Sequence, residues 1–203
     1  MLRSALRSTL RSTLRSAIVA ATLVVATAAS LGAQDKGKHV AVNGMQMYYE
    51  VSGKGEPLVV LHGAYMDIPS MGGIIPKLAE SHRVYALEFQ GHGRTTDIDR
   101  KITYENLADD VAAFMDAVGL KKADVFGYSM GAGAGIQLAI RHPAKVSRLV
   151  SASVAYDLKG WQPEFTAFIP QMTVEGMLQM PFFSEQAARK PGFPKLIAKL
   201  IQL

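Results

Sequence analysis

The 203-residue sequence contains no cysteine, so it is not a small domain held together by disulfide bonds. Charged residues are few, at 19% against 49% hydrophobic residues, which excludes an intrinsically disordered chain. Its 18 glycines and 9 prolines are far from a collagen composition. A chain of this length can form one domain with a real hydrophobic core.

Acidic residues are missing from the first 33 positions, where the charges are Arg3, Arg7, Arg11 and Arg15. Setting these four aside leaves 18 basic residues against 17 acidic ones in the remainder. The net charge of +5 therefore belongs to the N-terminus. Because the rest is nearly neutral, we expect no nucleic-acid partner.

The N-terminal segment has the order of a secretory signal. Residues 2–17 repeat Leu-Arg-Ser-Ala/Thr, and an uncharged apolar stretch follows as far as Ala33. A basic region, an apolar region and small residues at the junction predict cleavage after Ala28 or Ala33, with a mature chain starting near Gln34. We expect an exported protein, secreted or periplasmic, without a stable membrane partner. An uncleaved anchor and an Arg- and Ser-rich organelle transit peptide are the alternatives.

The first half of the remaining chain predicts strands. Residues 38–42 and 45–53 flank Asn43-Gly44, a pair that favours a tight β-hairpin. The apolar runs 58–63 and 83–89 are typical of strands buried on both faces. Residues 70–80 have weak helical spacing between these two strands.

The second half alternates helices and strands. Apolar spacing predicts an amphipathic helix over 103–118, with Thr103 as its cap and Gly119 as its stop. Strands over 123–128 and 146–153 flank a Gly/Ala-rich helix over 130–141. This alternation predicts an α/β fold: a mostly parallel sheet, opened by the hairpin, with helices on both faces.

Three segments follow from these patterns: a signal peptide over 1–33, a core over 34–156 and the start of a helical cap over 157–203. The last segment is rich in Met, Phe, Pro and Gln and contains no buried strand pattern. Residues 185–203 look helical, with breaks expected at Pro191 and Pro194.

The sequence Gly127-Tyr128-Ser129-Met130-Gly131 fits the pattern G-x-S-x-G. The pattern alone is weak, but here a predicted strand precedes it and a helix follows, which is the setting that exposes a serine hydroxyl at a sharp turn. Ser129 is therefore the candidate nucleophile. Gly127 and Gly131 are expected to be glycines because a side chain would collide at so tight a crossing.

A second candidate element is the loop His62-Gly63-Ala64, which directly follows a predicted strand. In this position a backbone N–H can complete an oxyanion hole, so we expect Ala64 and Met130 to supply the two N–H donors. A plain tight turn is the alternative for this loop. The ring of His62 is expected to bond loop backbone and not to act as a general base.

Several stretches together resemble the α/β-hydrolase fold family over residues 38–156. They are PLVVLHG at 57–63, EFQGHGRT at 88–95, a helix ending in DAVGL, DVFGYSMGAGAGIQLAIRHP at 124–143 and VSRLVSAS at 146–153. Members with serine at the turn include esterases, lipases, carbon–carbon bond hydrolases and cofactor-free haloperoxidases. The resemblance disfavours Asp-nucleophile members, gives His92 a structural role in a turn, and implies a small ester-like substrate with no cofactor and no metal.

The family order of nucleophile, acid and histidine is incomplete in this sequence. None of the five histidines follows the cap, and Asp157 is a weak candidate for the acid. We expect a truncated reading of a longer hydrolase, caused by a frameshift or an incomplete gene model. The last two strands of the sheet would then be missing, and strand 146–153 would be left as an unpaired edge. The primary prediction is a serine hydrolase acting on ester or related acyl substrates. A non-catalytic protein that binds a small ligand and an inactive fragment are the alternatives, and the oligomeric state is open.

Overall fold

The computed structural model describes residues 37–155, 158–160 and 162–203. The predicted signal segment 1–33 and the candidate acid Asp157 lie outside the described residues. The strands are β1 (Lys38–Val42), β2 (Met45–Ser52), β3 (Glu56–Leu61), β4 (His82–Leu87), β5 (Ala123–Tyr128) and β6 (Val146–Ala152).

Seven α-helices are described in these residues: α1 (Ile75–Ala79), α2 (Tyr104–Ala117), α3 (Met130–Arg141), α4 (Pro163–Phe168), α5 (Val174–Leu178), α6 (Pro181–Arg189) and α7 (Phe193–Leu200). Short 3-10 turns occupy Pro69–Met71, Pro143–Lys145, Leu158–Gly160 and Ile169–Gln171.

The six strands form one sheet in the order β1-β2-β4-β3-β5-β6. β1 and β2 pair antiparallel, β2 and β4 pair antiparallel, and the other neighbours are parallel. Leu61 at the end of β3 is opposite Leu87 of β4 on one side and Gly127 of β5 on the other. The carboxyl ends of β3, β4 and β5 therefore lie at the same end of the sheet, where the loops that follow these strands meet.

The hairpin forms as its sequence predicts. Asn43 and Gly44 both have positive φ, at 46° and 87°, which the tight turn between β1 and β2 requires. The Asn43 side chain donates a 2.8 Å hydrogen bond to Oδ1 of Asp110, a buried residue of α2. This bond fixes the turn to the helix packed beside it.

Residues along β3 alternate between two hydrophobic cores. Val59 and Leu61 belong to the larger core with buried residues of α2, α3, α5 and α7. Leu58 and Val60 belong to a smaller core, against which residues of α1 pack from the other side. Because successive side chains of a strand point to opposite faces, the sheet is covered on both faces, as the α/β prediction requires.

Helix α2 begins and ends close to its predicted limits. The Thr103 hydroxyl accepts a 3.1 Å hydrogen bond from the backbone N–H of Asn106, and Gly119 follows the helix with φ 77°. Its apolar stripe is fully buried at Leu107, Val111, Phe114 and Met115. Capping and periodicity together were enough to place this element.

The C-terminal segment is helical, as expected, but Pro194 does not break it. The break between α6 and α7 covers residues 190–192, and Pro194 lies in the first turn of α7. Proline is tolerated there because the first-turn N–H groups have no partner inside the helix. No helix among the described residues has the length and apolar character needed to cross a membrane.

Strand β6 is far more exposed than an inner strand of a parallel sheet. Its Val150 side chain is 56% exposed, and Ile140 on the neighbouring α3 is 62% exposed. Among the described strands, β6 is paired with β5 only. The apolar sequence correctly predicts a strand here, but its second edge is open in the described part of the chain.

Candidate active site

Ser129 stands alone between β5 and α3, which begins at the next residue. Its backbone has φ 53° and ψ −116°, a combination that L-residues rarely adopt and that is typical of strained functional positions. Hydrogen bonds hold the residue on both sides. Its N–H donates to Ala152 O at 2.9 Å, and its C=O accepts from the N–H groups of Ala132 (2.9 Å) and Gly133 (3.1 Å).

The two glycines of the motif lie where no side chain fits. A β-carbon at Gly127 would collide with backbone atoms of Gly131 and Ala132. A β-carbon at Gly131 would collide with the carbonyls of Leu61 and His62 at the end of β3. The strand, the turn and the helix therefore approach one another at backbone distance, and the close approach brings the loop after β3 to Ser129.

Gly63 is in direct proximity to the serine. A β-carbon there would lie 3.3 Å from Ser129 Cβ and 2.9 Å from the Met66 sulfur. The next residue, Ala64, is the second position of a turn closed by a 3.3 Å hydrogen bond from Met66 N–H to Gly63 O. Among the described residues, neither the Ala64 N–H nor the Met130 N–H donates to a backbone carbonyl, so both remain available to a ligand.

His62 and His92 hold this loop in place through hydrogen bonds to backbone groups. His62 Nδ1 donates to Gly63 O (2.7 Å), and Nε2 accepts from Phe89 N–H (3.1 Å). His92 Nδ1 donates to Gln90 O (2.9 Å), and Nε2 accepts from Tyr65 N–H (3.3 Å). Each ring thus uses both nitrogens on backbone, as the sequence analysis expected for His62.

Both of these histidines are neutral in the folded protein near neutral pH. Burial lowers the pKa of His62, since a charged ring would lose its hydration. Burial, together with the neighbouring His62, lowers the pKa of His92 to about 3. Neither ring is placed or tuned to take a proton from Ser129.

The remaining histidines are also bonded away from the serine. His142 Nε2 lies 2.7 Å from Asp109, His39 lies 3.2 Å from Arg94 O, and His82 bonds Ser81. Among the described residues, no hydrogen bond to the Ser129 hydroxyl is formed by a histidine or a carboxylate. Within residues 37–155, 158–160 and 162–203, the geometry therefore joins a candidate nucleophile and two candidate oxyanion donors without a general base.

The sequence analysis missed a buried carboxylate that shapes the site edge. Glu88, fully buried just after β4, accepts from Ile68 N–H (3.2 Å) and pairs with the Arg94 guanidinium (2.5 Å). Arg94 in turn lies over the Tyr48 ring at 3.8 Å. The only signal in the sequence was an acidic residue at the end of an apolar run, which does not reveal its partner.

A separate cavity of about 540 Å³ lies between the loop after β4 and the junction of α6 and α7. Two of its charged lining residues, Asp97 and Lys195, pair with each other at 3.3 Å. Ser129 is not among the lining residues. The described residues also contain no cluster of histidine and carboxylate groups that could hold a metal ion.

Comparison with known proteins points to one family. A sequence-family profile described as the alpha/beta hydrolase fold matches residues 56–194. The chain is 28% identical over 187 residues to 2-hydroxymuconate semialdehyde hydrolase of Pseudomonas sp. strain CF600, a match covering 81% of this chain and 65% of that protein. It is 30% identical over 117 residues to 2-hydroxy-6-oxo-6-(2'-aminophenyl)hexa-2,4-dienoic acid hydrolase of Metapseudomonas resinovorans, covering 56% of this chain and 40% of that protein.

Solved structures agree on the fold. A meta-cleavage product hydrolase from Pseudomonas fluorescens IP01 superposes with a TM-score of 0.63 at 23% identity, covering 80% of this chain and 67% of that one. An enol-lactonase from Burkholderia xenovorans LB400 gives 0.59 at 21% identity, covering 80% and 67%. Identities this low support the architecture alone. The sheet order, the turn at Ser129 and the profile match over most of the chain agree, and the chain belongs to the alpha/beta hydrolase fold family.

Proposed function

We propose that Ser129 is the nucleophile of a hydrolase that acts on a small acyl substrate, an ester or a similarly activated carbonyl compound. The observation that carries the proposal is the strained backbone of Ser129, at φ 53° and ψ −116°, held beside Gly63 at the carboxyl edge of the sheet. Strain of this kind persists only where surrounding structure enforces it, and it is concentrated at functional sites.

In the proposed reaction, the Ser129 Oγ–H proton passes to a general base while Oγ forms a bond to the substrate carbonyl carbon and the carbonyl π electrons move to oxygen. The base later gives this proton to the leaving group. The N–H groups of Ala64 and Met130 stabilise that oxyanion, and the positive end of the α3 dipole adds to their effect. One such donor is worth about 10²- to 10³-fold in rate. The tetrahedral intermediate then expels the leaving group and leaves an acyl group on Ser129, which water hydrolyses.

A serine hydroxyl needs a general base to react at neutral pH. The proposal assigns this role to none of the five histidines of the sequence, because the described contacts occupy each of them elsewhere. The chain matches 65% of the length of its hydrolase relative from Pseudomonas sp. strain CF600. The activity of the whole protein is accordingly part of the proposal.

The names of two relatives suggest a second substrate class for the same site. Both are hydrolases of dienoic semialdehyde or oxo-dienoic acid compounds by name. A carbonyl carbon with a carbon leaving group presents the same oxyanion to Ala64 and Met130, so the residues that we assign would serve either substrate. A panel of p-nitrophenyl esters beside a 6-oxo-dienoic acid distinguishes the two classes by relative kcat/KM.

A fluorophosphonate probe tests the nucleophile directly when it is applied to the whole protein, which must supply the general base. Trypsin should release residues 123–141 as one peptide, in which Ser129 is the only serine. We expect the probe mass on this peptide and no labelling of Ser129→Ala. Ser151→Ala, which removes a hydroxyl from the neighbouring β6, is the matched control and should label like the unmodified protein. Equal labelling of Ser129→Ala and unmodified protein would contradict the assignment, and an unlabelled protein that still binds an ester analogue would support the non-catalytic alternative.

A further inference from the structure

Tyr65 occupies a turn position where tyrosine is unusual. It is the third residue of the turn that Met66 N–H closes onto Gly63 O, and its φ is 61°. A positive φ at this position is the mark of a type II turn, for which glycine is the ordinary residue. For a bulky residue this conformation is an outlier that the surroundings must maintain.

Three helices of the C-terminal segment hold the Tyr65 side chain. The ring meets Phe183 of α6 edge-on at 5.0 Å and Phe193 of α7 at 6.2 Å. Its hydroxyl contacts the sulfur of Met177 in α5 at 3.9 Å. Burial in this environment raises the pKa of Tyr65 to about 12. The side chain is thus enclosed by elements more than a hundred residues away in sequence.

The backbone of Tyr65 leads directly to the candidate oxyanion donor. Its N–H belongs to the peptide group that follows Ala64, and it donates to His92 Nε2 at 3.3 Å. The ring contacts and this hydrogen bond both hold Tyr65. The Ala64 N–H belongs to the preceding peptide of the same turn, whose Gly63 carbonyl accepts from Met66 N–H. A tyrosine that lost its aromatic contacts would be free to relax from the positive φ, and the Ala64 N–H would turn with the loop.

We propose that Tyr65 is a positioning residue through which the packing of α5, α6 and α7 holds the Ala64 N–H in its catalytic direction. The proposal rests on the function assigned above to Ser129 and Ala64. If Tyr65 has this role, the oxyanion hole is intact only when α5, α6 and α7 are packed against it. These helices then do more than cover the substrate. Because the link between these helices and the Ala64 N–H runs through the Tyr65 side chain, a double-mutant cycle can test it.

The first arm of the test measures p-nitrophenyl ester hydrolysis. Phe183→Ala in the unmodified background should lower kcat by about tenfold with KM nearly unchanged, since an oxyanion donor acts in the transition state. In the Tyr65→Gly background the same substitution should lower kcat by less than about twofold, because glycine adopts the turn without a clamp. Tyr65→Phe should recover most of the rate that Tyr65→Ala loses, and Tyr65→Gly should exceed Tyr65→Ala.

The second arm needs no activity. Hydrogen exchange of the Tyr65 and Met66 amides should accelerate about tenfold in Phe183→Ala, and much less when Tyr65 is already glycine. Phe182→Ala is the matched control, since Phe182 contacts Phe183 but has no ring contact with Tyr65 among those described. Phe183→Leu replaces Phe183→Ala if the latter lowers the thermal midpoint of the whole protein.

The measurements distinguish the positioning role of Tyr65 from the proposed nucleophilic role of Ser129. Equal effects of Phe183→Ala in both backgrounds, or a rise in KM with constant kcat, would overturn the positioning role and leave α6 as an ordinary pocket wall. Absence of Ser129 labelling by a fluorophosphonate would instead overturn the proposed function, and the exchange measurement would still decide whether Tyr65 ties the loop to the helices.

Discussion

Gly63 faces Ser129 so closely that a β-carbon on residue 63 would lie 3.3 Å from Ser129 Cβ. These residues directly follow two adjacent parallel strands, β3 and β5, in which Leu61 pairs with Gly127. The pairing of the strands thus determines which backbone N–H groups surround the serine hydroxyl.

Gly63→Ala should slow fluorophosphonate labelling of Ser129 by at least about tenfold, because the added carbon displaces the loop that carries one oxyanion donor. The same carbon would lie 2.9 Å from the Met66 sulfur and 3.1 Å from a Tyr128 ring carbon, so the side chains around the serine must move to accept it. The measurement is the second-order labelling rate beside a thermal melt. A normal labelling rate in a stably folded variant would show that Ala64 N–H does not contribute.

Gly127→Ala should destabilise the fold by more than about 3 kcal/mol, because its β-carbon collides with backbone that cannot move aside. Urea unfolding measures this loss. Gly73→Ala is the matched control: no atom lies within 4 Å of its β-carbon position, and the free energy of unfolding should change by less than about 1 kcal/mol. Similar effects of the two substitutions would contradict the close crossing of β5 and α3.

Glu88→Gln should cost about 2–3 kcal/mol of unfolding free energy, since it removes the charge that a buried pair with Arg94 requires. Glu88 is fully buried, whereas Glu80 in the surface pair with Lys77 is 67% exposed. Glu80→Gln should therefore change stability by less than about 0.5 kcal/mol. Chemical denaturation of both variants in parallel checks the difference.

Acid should destabilise the protein through His92. The unfolded chain takes up this proton near pH 6.5, whereas the folded protein resists it until about pH 3. The free energy of unfolding should therefore fall with decreasing pH across that interval, by up to about 1.4 kcal/mol per pH unit for one such ring. His92→Gln keeps an acceptor for Tyr65 N–H but cannot titrate, so its slope should be shallower.

We propose that the mature protein is exported and begins near Gln34. N-terminal sequencing of the extracellular or periplasmic product should find Ala29 or Gln34 as its first residue. A mature chain that retains Arg15 would contradict cleavage. Val24→Arg should trap the precursor by interrupting the apolar stretch. Ser8→Arg adds the same charge to the basic region and should be exported normally.

Local sequence rules were sufficient wherever one residue decides the backbone. Thr103 caps α2, Asn43-Gly44 turns the hairpin, and Gly127 allows the crossing before Ser129, so the elements around them were predicted almost to the residue. The helix break predicted at Pro194 was wrong, because a proline in the first turn of a helix cannot be told from the sequence alone from a proline that breaks one.

Features that depend on distant partners were beyond sequence reasoning. Nothing beside Tyr65 in the sequence indicates Phe183 or Phe193, and an acidic residue after a strand does not announce that Arg94 will neutralise it. The exposure of β6 agrees with the unpaired edge expected for strand 146–153, an expectation that came from the strands missing from the family pattern and not from the residues of β6 themselves.

We expect the open edge of β6 to let folded chains associate as their concentration rises. Among the described strands it is hydrogen-bonded on one side only, and the half-exposed Val150 lies beside its free backbone groups. Such an edge accepts a strand from any chain that meets it, so encounters grow with the square of protein concentration. We therefore expect a concentrated solution of this protein to become turbid before a dilute one held at the same temperature.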